Sequence, residues 1–145
     1  MTERIDRPTS EDLIFIKDSW LKSYRTSVMA TICTPITLRN QGKMSAEYAR
    51  GQQMLIEALL LRGSTFVYKD GDFIIGWACA EPPHILHYVY VKYNFRNGGV
   101  SRKLISHFDL APRVLISHLS RDMDFKRLPK RFKFTPYAAM GLNVW

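Results

Sequence analysis

Hydrophobic and polar positions along the chain switch between two periods, and the switches mark elements. Leu13, Ile16, Trp20 and Tyr24 recur at helical spacing behind Pro8-Thr9-Ser10-Glu11-Asp12, where Thr9 is placed to cap and Asp12 lies near the positive end of the dipole. This predicts an amphipathic helix packed on a sheet with Trp20 buried, and Ile5 begins a short strand ahead of it. From Arg25 to Lys43 the pattern dissolves into Thr, Pro, Asn and Gly, which predicts a long connection of the kind that walls a substrate site. Ser45 caps a second predicted helix that ends near Gly63, with Tyr48, Met54, Leu55, Ala58, Leu59 and Leu60 as its core residues.

Beyond Gly63 the period shortens. Phe66 to Lys69, the turn Asp70-Gly71-Asp72, and Phe73 to Ala80 predict a hairpin. Pro82-Pro83 forces a connection, and Ile85 to Tyr93 predicts the next strand, with Tyr88 and Tyr90 turned to the face opposite His87 and packed on a helix. After a glycine loop and a helix, Val114 to His118 is a further strand, and Phe132 to Tyr137 an edge strand whose pairing Pro136 limits. The order is strand, two helices, three strands, helix, strand and an irregular basic tail, without internal repeats.

Composition narrows the class. At 145 residues and 46% hydrophobic, the chain suits one compact α/β (α+β) domain spanning residues 1–145. Its apolar runs, such as Ala58 to Leu61 and Phe73 to Ile75, fall far short of the roughly 20 residues that cross a bilayer, so a soluble chain with no membrane partner is expected. The start, Met1 to Asp6, carries no apolar signal segment, and Cys33 and Cys79 have no metal-like spacing. These features point to a reducing cytoplasmic setting and no metal. Neither cysteine is assigned a nucleophile role, Cys79 falling in a buried strand and Cys33 in a loop without a flanking base.

The formal net charge of +8 could serve an anionic cofactor, an anionic macromolecule or solubility. Arg121, Lys126, Arg127, Lys130, Arg131 and Lys133 crowd the segment 121–137 against only Asp122 and Asp124. Two readings stay open there, a nucleic-acid partner and a solvated face.

The run from Val89 to Ile105 carries the chemistry. A β-rich stretch breaks at Arg96, Asn97, Gly98 and Gly99 and resumes as a basic helix start through Val100, Ser101 and Arg102. Freed amides and the helix dipole would make an anion cradle. With Val91, Arg96, Gly99 and Ser101 in their places, the run resembles the acyl-coenzyme A loop of the GNAT superfamily of N-acetyltransferases: a strand ending in Val, then Arg or Gln, two residues, Gly, one residue, and Gly or Ala. Ser101 departs by adding a hydroxyl where the family keeps the backbone bare.

The resemblance covers most of the chain in element order and about residues 73 to 105 in motif. It implies a mixed, mostly antiparallel sheet flanked by helices, with a V-shaped splay between the fourth and fifth strands. The pantetheine arm of acetyl-coenzyme A, as co-substrate, would bond backbone near Val89, Tyr90 and Val91, and its diphosphate the amides from Arg96 to Arg102. The implied activity moves the acyl group directly to an amine acceptor. In the family a carboxylate often stands four residues before the strand-ending Val, and that position is His87, a plausible base near neutral pH. His118 and Ser120 close the next strand, where they could bind substrate or relay a proton. The Tyr that commonly acts as acid is missing, since no Tyr lies between Arg113 and Thr135, which leaves Tyr137 or Ser120 as substitutes.

A second resemblance is to small GNAT-like proteins encoded by bacteriophages, carried by Ser19 to Tyr24 and Tyr90 to Lys92 and extending by fold to the DNA-modification protein Mom. It implies host cytoplasm and a nucleic-acid groove at the basic tail and Phe132 to Tyr137. A module that only senses acyl-coenzyme A, and a basic nucleic-acid binder without cofactor, are the remaining alternatives.

Overall fold

The structure is a computed structural model that describes residues 2–24, 36–40, 45–119 and 129–140. It begins with strand β1 (Glu3–Asp6) and helix α1 (Ser10–Tyr24). The start of α1 is a reciprocal cap: Asp12 N–H donates to Thr9 Oγ1 at 3.1 Å, and Thr9 N–H donates to the Asp12 carboxylate at 2.8 Å. That carboxylate also holds Lys69 Nζ at 2.7 Å, with both side chains only 8% exposed, so the cap pins α1 to the sheet. The Lys69 and Thr9 hydrogen bonds outweigh the upward pull of burial and hold the Asp12 carboxyl below its ordinary value.

Short helix α2 (Ile36–Asn40) falls inside the stretch expected to be a connection. Helix α3 (Ala46–Arg62) is capped by Ser45, whose Oγ accepts from Tyr48 N–H, and it ends at Gly63. Its buried line is Ile56 and Leu59, while Met54 and Ala58 are exposed. The expected core stripe was therefore partly out of phase, because the apolar residues from Met54 to Leu61, broken only by Glu57, let several helical faces look alike and only the sheet selects one.

Strands β2 (Ser64–Asp70) and β3 (Phe73–Glu81) form the expected hairpin, with Gly71 at φ +61° in the turn. Strand β4 (Ile85–Val91) stops two residues short of expectation, as Tyr93–Phe95 winds into a 3-10 turn. Helix α4 (Val100–Ser106), β5 (Val114–Ile116), β6 (Phe132–Phe134) and a 3-10 turn (Pro136–Met140) complete the described chain. β5 and β6 are each shorter than the sequence suggests, and they end together at the Ile116–Phe134 pair.

The six strands lie in sequence order, antiparallel from β1 to β4 and parallel from β4 through β6. One face packs Trp77, Cys79 and Tyr88 against α1 and α3 through Ile16, Trp20, Tyr24, Ile56 and Leu59; the other packs Ala78, Ala80, Leu86 and Val91 against Val100, Leu104 and Phe108. Trp20 is buried in the first cluster, its ring stacked on Tyr88 at 5.4 Å. Cys79 is buried there too, which pushes its thiol up to about 12, and Cys33 lies outside the described residues. No helix among the described residues is long and apolar enough to cross a membrane.

Candidate active site

Two irregularities, one in β4 and one in β5, shape the candidate site. Cys79 pairs with Tyr88 but Ala80 pairs with Leu86, so His87 is the extra residue of a β-bulge. The bulge turns the His87 side chain onto the same face as Tyr88, where it meets Glu81 and Ser117. Strict alternation had placed the two on opposite faces.

The second irregularity is the early end of β5. Ile85 and Leu86 pair with Leu115 and Ile116, and Ser117 N–H donates to Leu86 O at 3.2 Å. Beyond that bond β4 runs on to Val91 while β5 has ended, so the strands part as a V. Lys92 N–H donates to Ile75 O at 2.9 Å. Alternation then turns the backbone groups of Tyr90 and Tyr88 toward β3, and those of Val89 and Val91 toward the gap, where no described strand continues. Tyr90 instead offers its ring, stacked on Trp77 at 6.0 Å.

The glycine loop stands at the open end of this gap. Asn97 at φ +68° and Gly99 at φ +82° turn the backbone left-handed just before α4. Residues 93–99 and 101–103 are exposed, while Val100 and Leu104 are buried and fasten α4 to the sheet. Gly76 permits that approach, since a Cβ there would lie 2.6 Å from Tyr90 O and 3.5 Å from a Val100 methyl. Arg96 Nε donates to Val91 O at 3.0 Å and its guanidinium lies 5.6 Å from the Tyr93 ring centroid, tying the loop to the strand end. Arg102 and Lys103 add positive charge in the first turn of α4. A separate pocket of about 300 Å³ lies behind the loop between Glu3, Tyr68, Arg96 and Lys103, and no residue of β4 or β5 lines it.

The bulge assembles a buried polar chain on the α1/α3 face. His87 is fully buried, and its Nε2 lies 2.9 Å from Glu81 Oε2 while its Nδ1 lies 2.6 Å from Ser117 Oγ. Ser117 Oγ also lies 2.9 Å from His118 Nδ1, and His118 Nε2 is 3.1 Å from the Gln52 amide. Arg62 Nε donates to the other Glu81 oxygen. Burial lowers the His87 pKa despite the Glu81 carboxylate, and it pushes His118 down to about 3 with help from His87. Burial would raise Glu81, but the hydrogen bonds from Arg62 and His87 leave it below its ordinary value.

Of the residues singled out in sequence, the fold thus brings His87 and His118 together through Ser117. Val89 to Arg102 run along the gap and its mouth. Ser120 and the side chain of Tyr137 lie outside the described residues, as do Arg121, Lys126 and Arg127; Lys130, Arg131 and Lys133 are described and exposed. Glu81, Ser117, Gln52 and Arg62 escaped sequence reasoning. The available signal was a polar Ser117 closing the apolar run Val114-Leu115-Ile116 beside a histidine. Among the described residues no group of three or more His, Cys, Asp or Glu could hold a metal ion.

No protein-family model matches the sequence, and no curated protein does. Solved structures do match in fold. A histone acetyltransferase and related acetyltransferase from Corynebacterium glutamicum aligns with a TM-score of 0.54 at 17% identity, over 74% of this chain and 70% of its own. A GCN5-related N-acetyltransferase from Rhodopseudomonas palustris aligns with a TM-score of 0.50 at 16% identity, over 74% of this chain and 63% of its own, so the match spans less than two thirds of that neighbour. Element order, the parting of β4 from β5 and these neighbours agree: the chain has the fold of the GNAT acetyltransferases.

Proposed function

We propose that this protein is an acyl-coenzyme A-dependent N-acyltransferase that moves the acyl group, acetyl in the simplest case, to an amine acceptor. The observation that carries the reading is the V between β4 and β5 with a left-handed glycine loop at its mouth, on a fold that known acetyltransferases share.

The residues present fit such a co-substrate. Val89 and Val91 turn backbone groups to the gap, in the way an added strand is held, and suit the amide-rich pantetheine arm. The bare backbone at Gly98 and Gly99, with the exposed cations Arg96 and Arg102, suits a diphosphate. At the apex, acyl transfer needs a group that takes a proton and an N–H that polarises the carbonyl. His87 and Ser117 supply the first, and Val89 N–H is oriented for the second.

The test is calorimetric titration with coenzyme A, followed by transfer of label from acetyl-coenzyme A to a panel of amines. Arg96→Ala and Gly99→Glu should each weaken coenzyme A binding by about tenfold or more, about 1.4 kcal/mol, with the melting temperature of Arg96→Ala close to wild type and that of Gly99→Glu lowered by the strain of a side chain at φ +82°, about 1–2 kcal/mol. Unchanged affinity in Gly99→Glu would show that the diphosphate site is elsewhere.

A further inference from the structure

The hydrogen-bond roles in the buried chain follow from its acid end. Glu81, ionised and already accepting from Arg62, can only accept, so His87 Nε2 carries the hydrogen. A neutral His87 then has a lone pair on Nδ1, and the 2.6 Å contact is Ser117 Oγ–H donating to it. With its hydrogen committed there, Ser117 Oγ accepts from His118 Nδ1–H at 2.9 Å. His118 Nε2 is left as an acceptor, satisfied when the Gln52 amide, whose two ends have the same shape, turns its nitrogen toward the ring. Every donor along the chain points the same way, toward Glu81.

The first three members form a hydroxyl, an imidazole and a carboxylate in series, which is the constellation that activates a serine. Its place in the fold is specific. Ser117 makes the last ladder bond before β4 and β5 part, which sets its backbone beside the apex of the gap, and the bulge is what brings His87 to its hydroxyl. Glu81 is locked by Arg62, which in turn donates to Ala139 O at 2.5 Å. A core with no chemical task would be cheaper with apolar groups at these positions than with five polar side chains that all need partners.

We propose that Ser117 is a nucleophile that takes the acyl group from the thioester before the amine does, with His87 as its base and Glu81 as the residue that positions His87. This rests on the acyl-coenzyme A reading above and replaces the direct route expected from sequence with two half-reactions. In the first, Ser117 Oγ bonds to the thioester carbonyl carbon as its proton moves to His87 Nδ1; the C–S bond breaks, and His87 returns the proton to the sulfur, releasing coenzyme A as the thiol. In the second, the amine nitrogen attacks the Ser117 ester and gives a proton to His87; the C–Oγ bond breaks, and Ser117 recovers its hydrogen. His118 Nδ1–H donates to Oγ and stabilises its developing charge. His87 thereby also serves as the acid that the absent Tyr left unassigned. Ser117 is only 3% exposed, and the parting of β4 and β5 beside its backbone is the approach that this proposal requires.

Two measurements test this. Incubation with acetyl-coenzyme A and no amine, followed by intact-mass and peptide analysis, should show one acetyl ester on Ser117. The adduct should vanish in Ser117→Ala and become a hydroxylamine-labile thioester in Ser117→Cys. Separately, a fluorophosphonate probe should label Ser117 in the protein alone, and saturating coenzyme A should block it. Turnover in Ser117→Ala should fall about a thousandfold with coenzyme A affinity retained. Glu81→Gln should lower turnover and shift its pH profile, with partial rescue by Glu81→Asp. Coenzyme A binding accompanied by full turnover in Ser117→Ala, or a labelled Ser117 that never acylates, would overturn the proposal and leave the transferase reading standing. Fluorophosphonate labelling without any coenzyme A binding would instead remove the transferase reading and the acyl donor with it, and an unlabelled Ser117 would remove the nucleophile.

Discussion

Acid should destabilise this protein well above the range in which carboxylates titrate, and His118 sets the size of the effect. Its ring is walled by Trp20 and Tyr24 from α1 at 5.4 and 4.9 Å, by Gln52 from α3 and by Ser117, with His87, Glu81 and Arg62 behind. Nothing there welcomes a second positive charge, so the folded pKa drops from 6.5 to about 3. Above the unfolded value both states are neutral and stability is full. Below it the unfolded chain takes up a proton that the folded chain refuses, so stability falls as pH falls. One pH unit below 6.5 the loss from this group is about 1 kcal/mol, and two units below it about 3 kcal/mol. His87, also lowered by burial, adds a loss of the same sign, and Glu81 and Asp12 extend the loss further into acid. Urea denaturation across about pH 4.5 to 7.5 reads this directly as a midpoint that declines below 6.5. His118→Phe keeps an aromatic ring between Trp20 and Tyr24 without titrating; it should be less stable at neutral pH and show a clearly shallower decline. A wild-type midpoint that stays flat down to pH 5, or a variant with the full wild-type slope, would refute the reasoning.

Three other outcomes follow from buried geometry. Asp12→Ala strands the Lys69 ammonium in a site only 8% exposed and removes the α1 cap, so it should cost about 3–5 kcal/mol in denaturation, and adding Lys69→Met should recover a good part of that. Gly76→Ala drives a methyl into the Tyr90 carbonyl and against Val100, so melting should show a loss of about 1–3 kcal/mol, and coenzyme A affinity should fall because α4 and its loop are displaced. Cys79, with its thiol raised to about 12 in a closed core, should react with a thiol reagent only upon unfolding; rapid labelling of a Cys33→Ser protein in native buffer would contradict its burial.

Much of this molecule is legible along the chain because the signals are local. A cap and its partner are three residues apart at Thr9 and Asp12, a hairpin announces itself at Asp70-Gly71-Asp72, and the glycine loop lies in one run from Arg96 to Arg102. The order of elements follows from such signals, whereas the expectation of a splayed sheet came only with the family resemblance. What remained hidden depends on pairs distant in sequence. Which stripe of α3 is buried is chosen by the sheet it lies on, so Ile56 and not Met54 is core. The bulge at His87 is a mismatch between two strands, which no alternation within one strand can reveal, and it alone reverses the face that His87 presents. Ser117 lies 30 residues from His87 and becomes its partner only because β5 aligns beside β4 and stops there. Chain order could specify the elements because backbone hydrogen bonding and capping are short-range. The aim of His87 and the company it keeps were left to tertiary packing, which decides where a ladder slips by one residue and where it ends.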